Sequence, residues 1–124
     1  MADRVIRITA GQVTADARLN DSRTATAVWD ALPIAARVQT WGDEIYFDIG
    51  LPAEPESPRE VVALGDLAYW PPGQAFCIFF GKTPASRGDE IRAASGVNVI
   101  GQVAGDPTVF KRVRSGTTIT VERA

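Results

Sequence analysis

The chain contains no histidine. That absence removes imidazole as a general base, a metal ligand and a pH sensor, and with it Ser-His-Asp and Cys-His triads. Proton transfer, if there is any, falls to carboxylate, tyrosine or lysine. A single cysteine, Cys77, rules out an internal disulfide and any multi-cysteine metal site. It lies in the apolar run "AFCIFFG", where a thiol packs as a small hydrophobe; a reactive thiol needs a lowered pKa and an adjacent base. Lysine is scarce, 2 against 11 arginines, which points to a GC-rich bacterial genome. No segment approaches the roughly 20 apolar residues that span a bilayer. The start, "MADRVIRITAG", has no apolar core of signal-peptide length, so no membrane partner is expected and the expected location is cytoplasmic. A net charge of −2 leaves no basic face for phosphates, and nucleic acid is not an expected partner. Neither a metal nor a cofactor is implied.

What is present fits one domain, residues 1–124, large enough to bury about 65–70% of its unfolded surface. Apolar residues at 45% and charged residues at 23% are the balance of a soluble globular protein. "RVIRITA", Gly11 and "QVTADARLN" predict a hairpin, because Val13, Ala15, Ala17 and Leu19 alternate with polar neighbours. "NDSRTATAVWDALP" predicts the one clear helix, over about residues 22–32. Asp21 or Ser22 caps it, Ala25, Val28, Trp29 and Leu32 form its apolar stripe, and Pro33 ends it. Trp29 is expected to plug this helix onto the sheet. "LPAEPESPRE" reads as a solvated loop. "VVALGDLAYW" and "QAFCIFFG" read as two strands joined at "PPG", the second apolar on both faces and therefore central. A short helical turn is expected near 86–94, and "GVNVIGQVAGD", "VFKRV" and "TTITVER" read as short strands. The sum is a mainly β protein, about eight short strands and one helix in an antiparallel barrel or sandwich.

Motifs that suggest chemistry are few. "GKT", Gly81 to Thr83, is not a P-loop, because the glycine required five residues earlier is Phe76. "RGD", Arg87 to Asp89, and the sequon at Asn20 are chance matches without a secretory route. "TWGDEIYFDIG", Thr40 to Gly50, is richer. On a strand, Asp43 and Glu44 point to opposite faces and cannot act as a dyad, whereas Glu44, Tyr46 and Asp48 share one face. That face is either an exposed strand surface or the polar side of a ligand cleft. Trp41 before the strand and Tyr69 and Trp70 in "AYWPPG" favour the cleft, since aromatics with a polar handle suit such sites.

The order of these blocks, "RLNDSRTATAVWDALP", "WGDEIYFDIG", "LGDLAYWPPGQAFCIFFGKTPAS" and "VNVIGQV", resembles the small prokaryotic cyclophilin-like family over about residues 4 to 123. The resemblance implies a closed antiparallel barrel capped by helices, of generally unassigned activity, with any isomerase site on the outside of the barrel. It also implies what is missing. The isomerase arginine has no counterpart between Trp41 and Gly50. The pocket glutamine and phenylalanine fall at Ala75 and Cys77, the histidine falls near Val97, and the loop tryptophan is absent from Pro84 to Ile91. Glu44 and its neighbours put negative charge where the isomerase mechanism wants positive. The expectation is a barrel that binds a small molecule or peptide in its outer groove with little or no isomerase activity and no assigned catalytic residue. Glu44 and Tyr46 are the polar candidates, Trp70, Cys77 and Phe79 the apolar wall, and Asn98 joins them if its face is outward. The acidic residues favour a cationic or hydrogen-bond-donating ligand. Two alternatives stand beside this: a prolyl isomerase or small-molecule enzyme using Glu44 and Tyr46, and an interaction module whose edge strands or aromatic face serve a partner or a homodimer.

Overall fold

Period-two patterning at the start of the chain becomes a hairpin. In the computed structural model, which describes residues 4–124, β1 (Arg4–Ala10) and β2 (Val13–Leu19) pair antiparallel around Gly11, whose φ of 59° suits glycine. Helix α1 (Arg23–Ala31) follows, and Ser22 caps it by accepting a hydrogen bond from the Ala25 N–H at 3.1 Å. The buried residues of the helix are Thr24, Ala25 and Val28. Trp29 packs against the barrel core as expected of it, but it is only half-buried, with the Arg123 guanidinium 4.3 Å from its ring centroid.

The remaining strands are β3 (Ile34–Arg37), β4 (Gln39–Thr40), β5 (Glu44–Asp48), β6 (Arg59–Val62), β7 (Asp66–Trp70), β8 (Ala75–Phe79), β9 (Ile91–Val103) and β10 (Thr118–Arg123). They lie side by side in the order β3-β10-β1-β2-β9-β7-β8-β5-β4, with β6 added to β9. Every pairing is antiparallel. The sheet's two end strands, β3 and β4, are not hydrogen-bonded to each other, so the barrel is not closed by a ladder as expected. They are consecutive in the chain, joined through Val38, and the segment pairs β10 with its first half and β5 with its second. Val38 holds the seam, its N–H donating to Thr117 O at 3.0 Å and its carbonyl accepting from Gly116 N at 2.8 Å.

Three local expectations are corrected. "VVALGDLAYW" is two strands, β6 and β7, because the Asp66 carboxylate accepts from the Ala63 N–H at 2.8 Å and Gly65, at φ 88°, turns the chain. Residues 86–94 make no helical turn. Ser86 Oγ accepts from Thr83 N at 3.0 Å and Arg92 N at 3.1 Å, which pins the loop and launches β9 extended from Ile91. "VFKRV" is no strand: its first four residues lie in a 3-10 helix, Pro107–Arg112, which Asp106 caps by accepting from Thr108 N at 2.9 Å. Proline at the first helical position and an aspartate before it outweigh the strand propensity of Val109 and Phe110.

Two cores result. The barrel interior holds Ile6, Ile8, Ile45, Phe47, Phe76 and Ile78 among others, with Phe47 and Phe76 stacked at 5.1 Å between centroids. Outside the barrel wall lies a smaller core of Val62, Ala68, Ala75, Cys77, Phe79, Ala93 and Val97. It exists because β9 is 13 residues long and does two jobs. Its second half pairs β7 and β2 in the barrel, while its first half carries β6 outward over the wall. β8 is thus buried on both faces, as its apolar run predicts.

The loop 49–58 is anchored rather than merely solvated. Glu56 accepts from Arg23 N at 3.1 Å, Thr24 N at 2.9 Å and Thr24 Oγ1 at 2.7 Å, a second cap on α1. Asn98, buried on the α1 side of β9, accepts from Glu56 N at 2.8 Å and donates to Glu54 O at 2.9 Å and Thr24 Oγ1 at 3.1 Å. Replacing Asn98 with alanine strands these buried partners, and urea unfolding should show a loss of about 2–3 kcal/mol. A loss below about 0.5 kcal/mol would mean that the loop is held in some other way.

Candidate functional site

Clean alternation from Glu44 onward sets the geometry of β5. Ile45 and Phe47 point into the barrel, while Glu44 and Tyr46 point outward. Beside them the outward β9 arm leaves a gap. The result is a cleft of about 240 Å³ on the outer wall, walled by Trp41, Glu44 and Tyr46 on one side and by Ala93, Ala94 and Val97 of the arm on the other, with Trp70 at the end of β7. This volume lies under the roughly 300–1,000 Å³ of drug-sized pockets.

The walls are fixed by polar contacts at their rims. The Trp70 indole N–H donates to Ser95 Oγ on the arm at 2.7 Å. The Tyr46 hydroxyl donates to Gln39 Oε1 on β4 at 3.0 Å. Trp41 sits in a turn closed by its own N–H, which donates to Glu44 O at 2.9 Å. That turn packs against the 82–84 loop through Gly42. Its φ of 61°, and a Cβ position only 2.9 Å from Lys82 O, leave no room for another residue.

Glu44 is the unusual member. It is 6% exposed, and the influences on its carboxyl are burial and the Cys77 thiol from β8, with no cation among them. Burial pushes its pKa up to about 7, and the hydrogen bond with Cys77 offsets this in part. The Cys77 thiol is itself pushed well above its ordinary value, first by burial and then by the Glu44 charge. It is an inert, buried thiol. Arg92, the arginine on the β9 arm, is held by Glu90 at 2.6 Å and Glu60 at 3.1 Å. Among the described residues, no basic side chain lines the cleft.

The structure therefore brings Glu44, Tyr46 and Trp70 together in one cleft. It sets Cys77 and Phe79 beneath them in the outer core, as floor rather than wall surface. Asn98 lies on the other side of the sheet, occupied with the 49–58 loop. Trp41 and Trp70 are both half-buried groove residues, and Tyr69 is the core member of the aromatic set, its hydroxyl donating to Leu51 O. Sequence reasoning missed the arm residues Ala93 and Ala94, whose small apolar side chains carry no signal of a site, and it reached Val97 only as the position where the resemblance puts a histidine. Among the described residues, no group of three or more histidine, cysteine, aspartate or glutamate side chains could hold a metal ion, and no helix is long and apolar enough to cross a membrane.

With the barrel and its outer cleft described, the class is clear. A family model, Cyclophilin-like, matches residues 4–122, and the chain belongs to that family. Among solved structures it is similar to the solution structure of the hypothetical protein AF2241 from Archaeoglobus fulgidus. The two share 43% identity with a TM-score of 0.83, over 98% of this chain and 95% of that one. No curated protein matches the chain.

The burial of Glu44 carries a sign that can be measured. Between the unfolded value of 4.5 and the folded value of about 7, the native state holds a proton that the unfolded state has released. The stabilisation is complete below 4.5 and is lost as the pH rises through about 7, a swing of roughly 3 kcal/mol or less. Glu44→Gln cannot ionise, so it should gain stability over the wild type on going from pH 5 to pH 8 in urea unfolding. A difference between the two proteins that does not change with pH would remove Glu44 as the buried titrating group.

Proposed function

We propose that this cyclophilin-like barrel binds a small molecule or peptide in the outer cleft and has little or no peptidyl-prolyl isomerase activity. The observation that carries the reading is the composition of the cleft. Two tryptophans and a tyrosine surround one buried carboxyl, with no arginine among the lining residues. An isomerase cleft stabilises developing charge around the prolyl amide with a cationic donor. Here the one charged lining group is an acid.

A second reading is favoured by the Glu44 pKa of about 7, the range in which a carboxylate serves as a general base at neutral pH. In that reading a molecule bound in the cleft is turned over, with Tyr46 as a hydrogen-bonding partner. Glu44→Gln would then abolish turnover and retain binding.

A protease-coupled isomerase assay beside a cyclophilin control, together with a fragment screen read at the indole N–H signals of Trp41 and Trp70, tests the proposal. The expected outcome is no isomerisation above the thermal background and fragments that shift both indoles. A kcat/KM within about tenfold of the control, roughly 1.4 kcal/mol of barrier, would overturn it.

A further inference from the structure

The buried carboxyl in the cleft has no cationic side chain beside it among the residues that line the cleft. Taking a carboxylate out of water costs several kcal/mol, and a folded protein ordinarily meets that cost with a paired cation or with hydrogen bonds. Burial is the main influence on the Glu44 carboxyl, and the one group that offsets it is the Cys77 thiol. Its neighbours are the Cys77 thiol from β8, the Tyr46 phenol from its own strand, and the apolar groups of the 41–43 turn, β7 and the β9 arm. Asp43, next in sequence, turns away and pairs with Lys111 at 3.8 Å. A buried acid that opens onto a cleft rimmed by Trp41, Tyr46 and Trp70 has the two elements that hold organic cations in water-poor sites. One is a full negative charge at the base, and the other is a set of ring quadrupoles around it.

We infer that the occupant of the cleft is a small organic cation, a protonated amine on an apolar body, whose ammonium pairs with Glu44 among the rings of Trp41, Tyr46 and Trp70. This rests on the cleft-binding reading above and narrows it to one chemistry. Three features select the class. The single charge lining the cleft excludes phosphates and carboxylates by repulsion. The aromatic and alanine walls favour an apolar body over a sugar. The small volume favours a compact amine over an extended peptide. Binding is also linked to a proton. At neutral pH part of the Glu44 population is protonated, and an arriving ammonium favours the carboxylate, so a proton leaves as the ligand enters.

Three probes that share a phenylethyl body separate charge from shape: 2-phenylethylammonium, 2-phenylethanol and 3-phenylpropanoate. Each is titrated at pH 8 against the wild type, Glu44→Gln and Trp41→Leu, followed by calorimetry and the indole N–H signals. The ammonium should bind about tenfold or more tighter than the alcohol, and the carboxylate more weakly than both. Glu44→Gln should erase the difference between ammonium and alcohol. Trp41→Leu, the control should Glu44→Gln fail to fold, should weaken the ammonium more than the alcohol. For the wild type, the ammonium affinity should fall about tenfold from pH 8 to pH 5.5 while that of the alcohol stays level. Equal binding of alcohol and ammonium, or an ammonium preference that survives Glu44→Gln, overturns the cation inference and leaves the cleft-binding reading standing. Silence of both indoles toward all three probes also overturns it, and the fragment screen then decides the broader reading by itself.

Discussion

The architecture depends on one strand being buried from both sides. In β8, Phe76 and Ile78 fill the barrel while Ala75, Cys77 and Phe79 floor the outer core. Neither core is complete without it. A strand of this kind needs a cover on each face, and the barrel supplies only the inner one. The outer cover is the β9 arm with β6, and the cleft is the space left where that arm meets the wall beside β5. The cleft is thus a by-product of covering an apolar strand, and its floor is the close-packed outer core.

That dependence explains the chemistry. Glu44 stands in register with Phe79, and Tyr46 with Cys77, so the polar side of β5 is laid directly against an apolar floor. On a single-layer sheet the same carboxylate would face water. Here the second layer removes the water and leaves the acid with a thiol for company. An acid with a raised pKa in a cleft is a candidate for a functional group.

Much of this was legible in the sequence. The alternation at 44–48 named the outward face, the doubly apolar "AFCIFF" named the central strand, and the order of blocks named the fold. What could not be read was long-range. Nothing in "DEIRAASG" signals that Ile91 starts a strand, because the extension is imposed by Ser86 and Thr83 bonding Arg92 from outside the segment. Glu56 in a proline-rich loop looks solvated, and only the fold brings it to the start of α1. Asn98 could be assigned to a face only once the register with Tyr69 was known, since a one-residue slip exchanges the two sides. The 3-10 segment 107–112 is a different failure, where local capping chemistry was present at Asp106 and Pro107 and strand propensity was given more weight.

The seam of the barrel has a consequence for how the protein is made. β10 pairs with β1 on one side and β3 on the other, and it leaves the ribosome after all nine other strands. Until it arrives, β1 and β3 have open edges and the barrel interior, Phe47 and Phe76 included, has no closed wall around it. Synthesis at about 5–20 residues per second gives that unfinished sheet several seconds of exposure. The apolar run of β8 is already outside for part of that time. A barrel built this way cannot complete its wall before β10 has emerged, and the time for which the apolar run of β8 waits is set by the distance in sequence between those two strands.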